Sequence, residues 1–86
     1  MTEEEFLQFA LENNIPGKAY SLTGKHKYSD IIVLSKEHKL WKVYYFERGD
    51  IHSIKYHDTK SEAVLDMYNR FNKLIEQGYD LRKYWK

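Results

Sequence analysis

The chain is 86 residues long, 42% apolar and 16% aromatic, with no cysteine and 14 basic against 13 acidic side chains. That length allows one domain over residues 1–86 and excludes a catalytic domain joined to a separate binding domain. A fold of this size buries only about 60% of its unfolded surface, and no disulfide can staple it, so the aromatic rings must supply much of the core.

The charge is unevenly placed. Residues 1–17 hold four Glu and no Lys or Arg, whereas residues 18–60 hold nine basic side chains against five acidic ones. The balance is too even for a strongly nucleic-acid-binding domain and too basic for an acidic mimic of DNA. No run approaches the roughly 18 apolar residues of a membrane span, and Met1 leads into Glu3-Glu4-Glu5 rather than a basic start followed by an apolar stretch. A cytoplasmic protein without a membrane partner is the expectation.

The first element reads as a helix. Thr2 and Glu5 have the spacing of a capping box, and the acidic run suits the positive end of the helix dipole. Phe6 with Ala10 and Leu7 with Leu11 repeat at a spacing of four, which predicts one apolar face. Asn13-Asn14 supplies a stop and Pro16-Gly17 prevents continuation.

From Lys18 to His57 the pattern is that of strands. Ala19 to Leu22 is a short candidate, and Tyr28 to Leu34 a better one with Ile31, Ile32 and Val33. Ser35 to Lys39 reads as a turn. Leu40 to Phe46 is the strongest strand, with Trp41, Val43 and Tyr45 on one face and Leu40, Tyr44 and Phe46 on the other. Such a strand is expected to be central and covered on both sides. Glu47-Arg48-Gly49-Asp50 is a tight turn, with Gly available for a positive φ. In the strand Ile51–His57, His52, Ile54 and Tyr56 alternate against Ser53, Lys55 and His57, and the short connections imply antiparallel neighbours.

A second helix follows. Thr59 and Glu62 repeat the capping-box spacing, Val64, Met67, Tyr68, Phe71, Leu74 and Ile75 keep the helical period, and Gly78 stands where a C-terminal cap belongs. The tail from Tyr79 to Lys86 carries Leu81, Tyr84 and Trp85, too apolar to be wholly free in water. The predicted fold is α+β: a helix, an antiparallel three- or four-stranded meander sheet, a helix and a docked C-terminal tail.

Little in the chain points to catalysis. His52 and His57 lie five apart on one strand and so are expected on opposite faces, while His26 and His38 sit in polar turns among lysines. No metal or cofactor is expected, and the histidines read as solvated. Glu47, Arg48, His52, Tyr45 and Tyr56 fall near one hairpin, yet no glycine-rich phosphate loop, G-x-S-x-G or H-E-x-x-H fixes a reaction geometry. The protein is read as a non-enzyme. Arg48-Gly49-Asp50 also spells a cell-adhesion tripeptide, but without an export signal it reads as a turn.

A binding role has more to support it. Helix, three strands and helix is also the layout of a double-stranded RNA-binding domain. Lys25, Lys27, Lys36, Lys39 and Lys42 could form a patch at the hairpin ends, although such lysines more often blunt strand edges. The start of the last helix, Thr59-Lys60-Ser61-Glu62, lacks that module's lysine cluster. Nucleic acid is therefore the alternative partner, not the first.

The run Trp41-Lys42-Val43-Tyr44-Tyr45-Phe46-Glu47-Arg48-Gly49 resembles the W-x-V-Y-Y-x-E-R-G core of a family of small immunity proteins from bacterial polymorphic toxin systems. The surroundings are similar as well: Tyr20-Ser21-Leu22 and the strand Tyr28 to Leu34 upstream, and a further strand and a helix carrying Ala63 downstream. The resemblance implies an α+β protein that binds the C-terminal domain of a cognate toxin and blocks it in the producing cell, without catalysis or cofactor. Aromatic and Arg anchors suit such an interface, and Tyr tolerates partial exposure because it keeps a polar tip. Tyr28, Tyr44, Tyr45, Tyr56 and Trp85, with the acidic edge of the first helix, are the candidate contacts. Glu47 and Arg48 are candidates too, read first as a pair within the hairpin and second as contacts.

Overall fold

The computed structural model describes residues 1–25 and 30–84. In chain order the elements are α1 (Glu3–Glu12), a 3₁₀ turn (Gly17–Ala19), β1 (Tyr20–Ser21), β2 (Ile31–Glu37), β3 (Leu40–Glu47), β4 (Asp50–His57), α2 (Lys60–Glu76) and a one-turn α3 (Leu81–Tyr84).

α1 begins with the expected reciprocal cap. The Thr2 hydroxyl accepts the Glu5 N–H at 3.1 Å and the Glu5 carboxylate accepts the Thr2 N–H at 2.9 Å, satisfying donors that the first turn leaves without helical partners. It ends in a Schellman turn: Asn14 takes a left-handed φ of 57°, and Ile15 N–H reaches the Ala10 carbonyl at 2.9 Å. Ile15 is swung into the core as a result.

The apolar face of α1 is narrower than its sequence suggests. Phe6 and Ala10 are buried, but Leu7 is exposed and Leu11 is 74% exposed. Phe9, not the leucines, completes the packed stripe, its ring 4.6 Å edge-to-face from Tyr68 of α2. One helix resting against another buries one stripe, and Leu7 and Leu11 lie beside it.

The sheet order is β1-β2-β3-β4. β2, β3 and β4 form the antiparallel meander. β1 departs from expectation: it pairs parallel to β2, with Tyr20 opposite Ile32 and Ser21 opposite Val33. Nine residues, 22–30, make the crossover, fewer than a parallel connection usually needs. β2 also runs on to Glu37, through residues expected in a turn, because His38 with φ 56° lets the hairpin close over His38 and Lys39 alone. The expected start of this strand at Tyr28 lies outside the described residues.

α1 and α2 lie on one face of the sheet. Phe6, Ala10, Val64, Met67 and Phe71 meet Ile32, Leu34 and Val43 there. Phe6, Tyr20 and Phe71 form an aromatic cluster with centroids 5.1 to 6.3 Å apart. Part of the tail docks, as expected: Leu81 is buried in this core. α2 is capped at its start by Thr59, whose hydroxyl accepts the Glu62 N–H at 3.1 Å and donates to the Glu62 carboxylate at 2.9 Å. It ends at Gly78, with φ 88° and Tyr79 N–H bonded to Leu74.

β3 is interior, as expected, but helices cover only one of its faces. On the other, Ile31, Val33 and Tyr44 form a small second cluster with Phe46 beside it. The crossover reaches this side too: a Cβ on Gly24 would lie 2.9 Å from Ser35 Oγ.

Candidate functional site

Every residue of β4 but His57 is exposed, and the strand carries a β-bulge. Val43 pairs with Lys55 and Tyr45 with His52, so Ser53 and Ile54 together oppose Tyr44. Ser53 takes a φ of 56°. The bulge shifts the alternation by one residue. His52 lies on the helix side opposite Tyr45, and His57 lies on the same side opposite Trp41, which corrects the expectation that the two face apart. Ile51, Ile54 and Tyr56 all fall on the side away from the helices.

The helix side of β4 is held by α2. Arg70 Nη2 donates to the Ser53 carbonyl at 2.8 Å and to the Val43 carbonyl at 3.3 Å, and its Nε donates to Asp66 at 3.0 Å. The other Asp66 oxygen is 2.8 Å from His57 Nε2. His57 and Asp66 side chains are 12% and 11% exposed. His57 is thus a structural member of a hydrogen-bonded chain rather than a solvated residue.

The open face is a strip along β3 and β4. At one end Ile31, Phe46 and Ile51 stand in a row; in the middle Val33, Tyr44 and Ile54; at the other Ser35, Lys42 and Tyr56. On the β2 side of this strip Ile31 and Val33 are buried and Ser35 half-buried, whereas Ile51, Ile54 and Tyr56 are 44, 48 and 48% exposed and Leu40 is 40% exposed. A contiguous exposed apolar patch of this kind is a mark of an interaction site.

Its polar end is ordered. Lys42 Nζ is 3.1 Å from Glu37 and sits over the Tyr44 ring, 5.4 Å from the centroid. Lys42 and then the Tyr56 hydroxyl hydrogen-bond to Glu37 and hold its carboxyl below the usual range, while Glu37 in turn raises Lys42. Burial pushes the Tyr44 phenol up, against a smaller opposing effect of Lys42.

The structure places the sequence-derived candidates in different settings. Tyr44 forms the floor of the open strip and Tyr56 its exposed rim. Glu47 and Arg48 stand at the β3–β4 turn, where Arg48 and Gly49 both have left-handed φ, 48° and 86°. Tyr45 faces the helices, packs against the main core and donates to Asp30 at 3.3 Å. Tyr28 and Trp85 lie outside the described residues. Sequence reasoning missed the exposed Leu40 at the start of β3, and it missed Ile51 and Ile54 because nothing in the alternation of β4 announces a bulge at a serine.

Some of the lysines that a nucleic-acid surface would use, Lys36 and Lys42 with Lys60, are engaged within the chain. Lys60, at the start of α2, is 2.6 Å from Glu3 and 5.5 Å from the Trp41 ring centroid. Lys36 lies over the same ring at 5.4 Å. Lys27 falls outside the described residues. No helix among the described residues is long and apolar enough to cross a membrane.

No protein-family model, curated protein or solved structure matches this chain.

Proposed function

We propose that this protein is an immunity protein that binds a cognate bacterial toxin domain and neutralises it by protein–protein contact, acting in the cytoplasm of the producing cell without a catalytic step of its own. One observation carries the reading. The W-x-V-Y-Y-x-E-R-G-like run of β3 and its turn borders an uncovered strip of Tyr, Ile and Leu side chains on the sheet. An inhibitor needs such a surface: apolar and aromatic anchors lose water on binding, and a polar rim fixes orientation. Glu37, Lys42 and the Tyr56 hydroxyl supply an ordered rim. The intrachain pairing of Lys60, Lys36 and Lys42 favours this over RNA as partner, since phosphate contacts need cations that are free to engage.

The test is an affinity-tagged purification from the native host, treated with nuclease and analysed by mass spectrometry. The expected result is one stoichiometric protein that survives nuclease, is encoded next door and ends in a domain that arrests growth when expressed alone. Co-expression of this chain should restore growth. Binding lost on nuclease treatment would overturn the proposal in favour of the RNA reading.

A further inference from the structure

We infer that β4 pairs with the β4 of a second copy of this chain, joining two four-stranded sheets into one sheet of eight. The inference concerns the edge of the sheet, not its open face, and does not depend on the toxin reading.

β1, at the far edge, has two residues, whereas β4 offers eight. Apart from the Ser53 carbonyl, which Arg70 engages, such a long edge presents backbone donors and acceptors to a neighbouring chain. A closed pair of identical edges must be antiparallel about a two-fold axis, with each residue facing a complementary one.

β4 meets that condition at the residues flanking its bulge. In a regular strand residues 51 and 54 would face opposite sides of the sheet and could not be opposed. With Ser53 inserted, Ile51 and Ile54 share the open side, and Asp50 and Lys55 share the helix side. An axis between His52 and Ser53 then sets Ile51 against Ile54 of the second copy and Asp50 against Lys55 of the second copy, each pair occurring twice. Both are favourable cross-strand pairs.

Three further observations support this register. Asp50 stands directly opposite Glu47 within its own hairpin, a like-charge pair that a lysine from outside offsets. No ion pair among the described residues engages Asp50 or Lys55. Leu65, 43% exposed, borders the groove that Lys55 lines beside β4, so apolar surface flanks the edge. A shift of the axis by one residue towards His57 would lose the Asp50–Lys55 pair and set Asp50 opposite His57, whose side chain Asp66 already holds.

Sedimentation equilibrium of the purified full chain, with circular dichroism to confirm folding, tests the inference. The expected result is a dimer at micromolar concentration. Asp50→Lys and Lys55→Asp should each weaken dimerisation by about tenfold or more, and the double variant should return to within about threefold of the original, since the pair is only reversed. A monomer at all concentrations overturns the inference. So does a dimer indifferent to the single swaps, or one that the double swap fails to restore.

Discussion

The guanidinium of Arg70, on α2, donates to the carbonyl of Ser53, on β4, across 2.8 Å. This is the contact through which a helix fixes the irregularity of the outer strand. The same side chain reaches the Val43 carbonyl and Asp66, and Asp66 holds His57. Replacing Arg70 by Ala removes a charged donor from two carbonyls and leaves Asp66 without its cation in a partly buried site. The expected loss is about 2 kcal/mol, the scale of hydrogen bonds to charged groups, read as a lower urea midpoint. Asp66→Asn keeps the shape and weakens both neighbours, so it should cost less. A midpoint unchanged in Arg70→Ala would show that the bulge stands without its clamp.

The two glycines of left-handed φ in or beside the sheet differ in surroundings. A Cβ at Gly49, φ 86°, meets nothing within 4 Å, whereas one at Gly24, φ 79°, meets Ser35 Oγ at 2.9 Å and Cβ at 3.3 Å. Each Gly→Ala change carries the backbone strain of the left-handed region, about 1 kcal/mol. Gly24→Ala adds the overpacking of Ser35 and should lose roughly 1 kcal/mol more than Gly49→Ala. A double-mutant cycle with Ser35→Gly should recover that excess and nothing else.

What the sequence revealed followed the range of the interactions involved. Thr2 with Glu5, Asn14, the Arg48-Gly49 turn and Gly78 act within a few residues, and each was legible from spacing alone. The faces of β3 were legible too, since an unbroken strand alternates strictly. The bulge was not, because a serine in left-handed φ carries no glycine signal and its anchor, Arg70, lies 17 residues away. The parallel pairing of β1 was hidden for a similar reason: direction is set by the path of the crossover, not by the strand's own residues. Leu7 and Leu11 have the right period for burial, but the width of the α1–α2 contact decides how much of the face is covered. Tyr44 and Tyr56 at the open strip could be named from composition, whereas Ile51 and Ile54 required the bulge.

Alkaline pH should destabilise the fold. Burial raises the phenol pKa of Tyr20 and of Tyr44, so the folded state disfavours their ionised forms. A group raised in this way contributes stability that is complete below its unfolded value, about 10 for tyrosine, and is lost as pH rises through the folded value. Lys42, raised by its bond to Glu37, acts in the same direction. Ultraviolet titration should show a late-ionising tyrosine group, Tyr20 and Tyr44, that appears only with loss of near-ultraviolet circular dichroism. Glu37 works on the acid side: its lowered pKa contributes stability above the ordinary carboxylate value that disappears as pH falls through the folded one. Lys42→Met should flatten that acid limb of the stability profile, and a limb unchanged in this variant would show that the pair has no part in it.

Two groups of exposed apolar side chains separate the candidate interfaces. Leu7 and Leu11 lie on α1 beside Glu4 and Glu12, whereas Ile54 and Tyr56 lie on the open strip over Tyr44. If the strip is the surface that takes a toxin domain, Tyr56→Ala should cost about 2 kcal/mol of binding to the partner recovered from the host. That is roughly a thirtyfold rise in Kd. Tyr56 is half exposed, so the fold should survive the change. Leu11→Ala serves as the control: it removes a side chain more exposed than any on the strip, on the opposite layer of the molecule. It should leave the affinity within about twofold, since scattered surface apolar residues away from the interface contribute little. Calorimetric titration of the two variants decides between the surfaces. A loss confined to Leu11→Ala would move the interface to the acidic helix, where a basic partner surface would then be required.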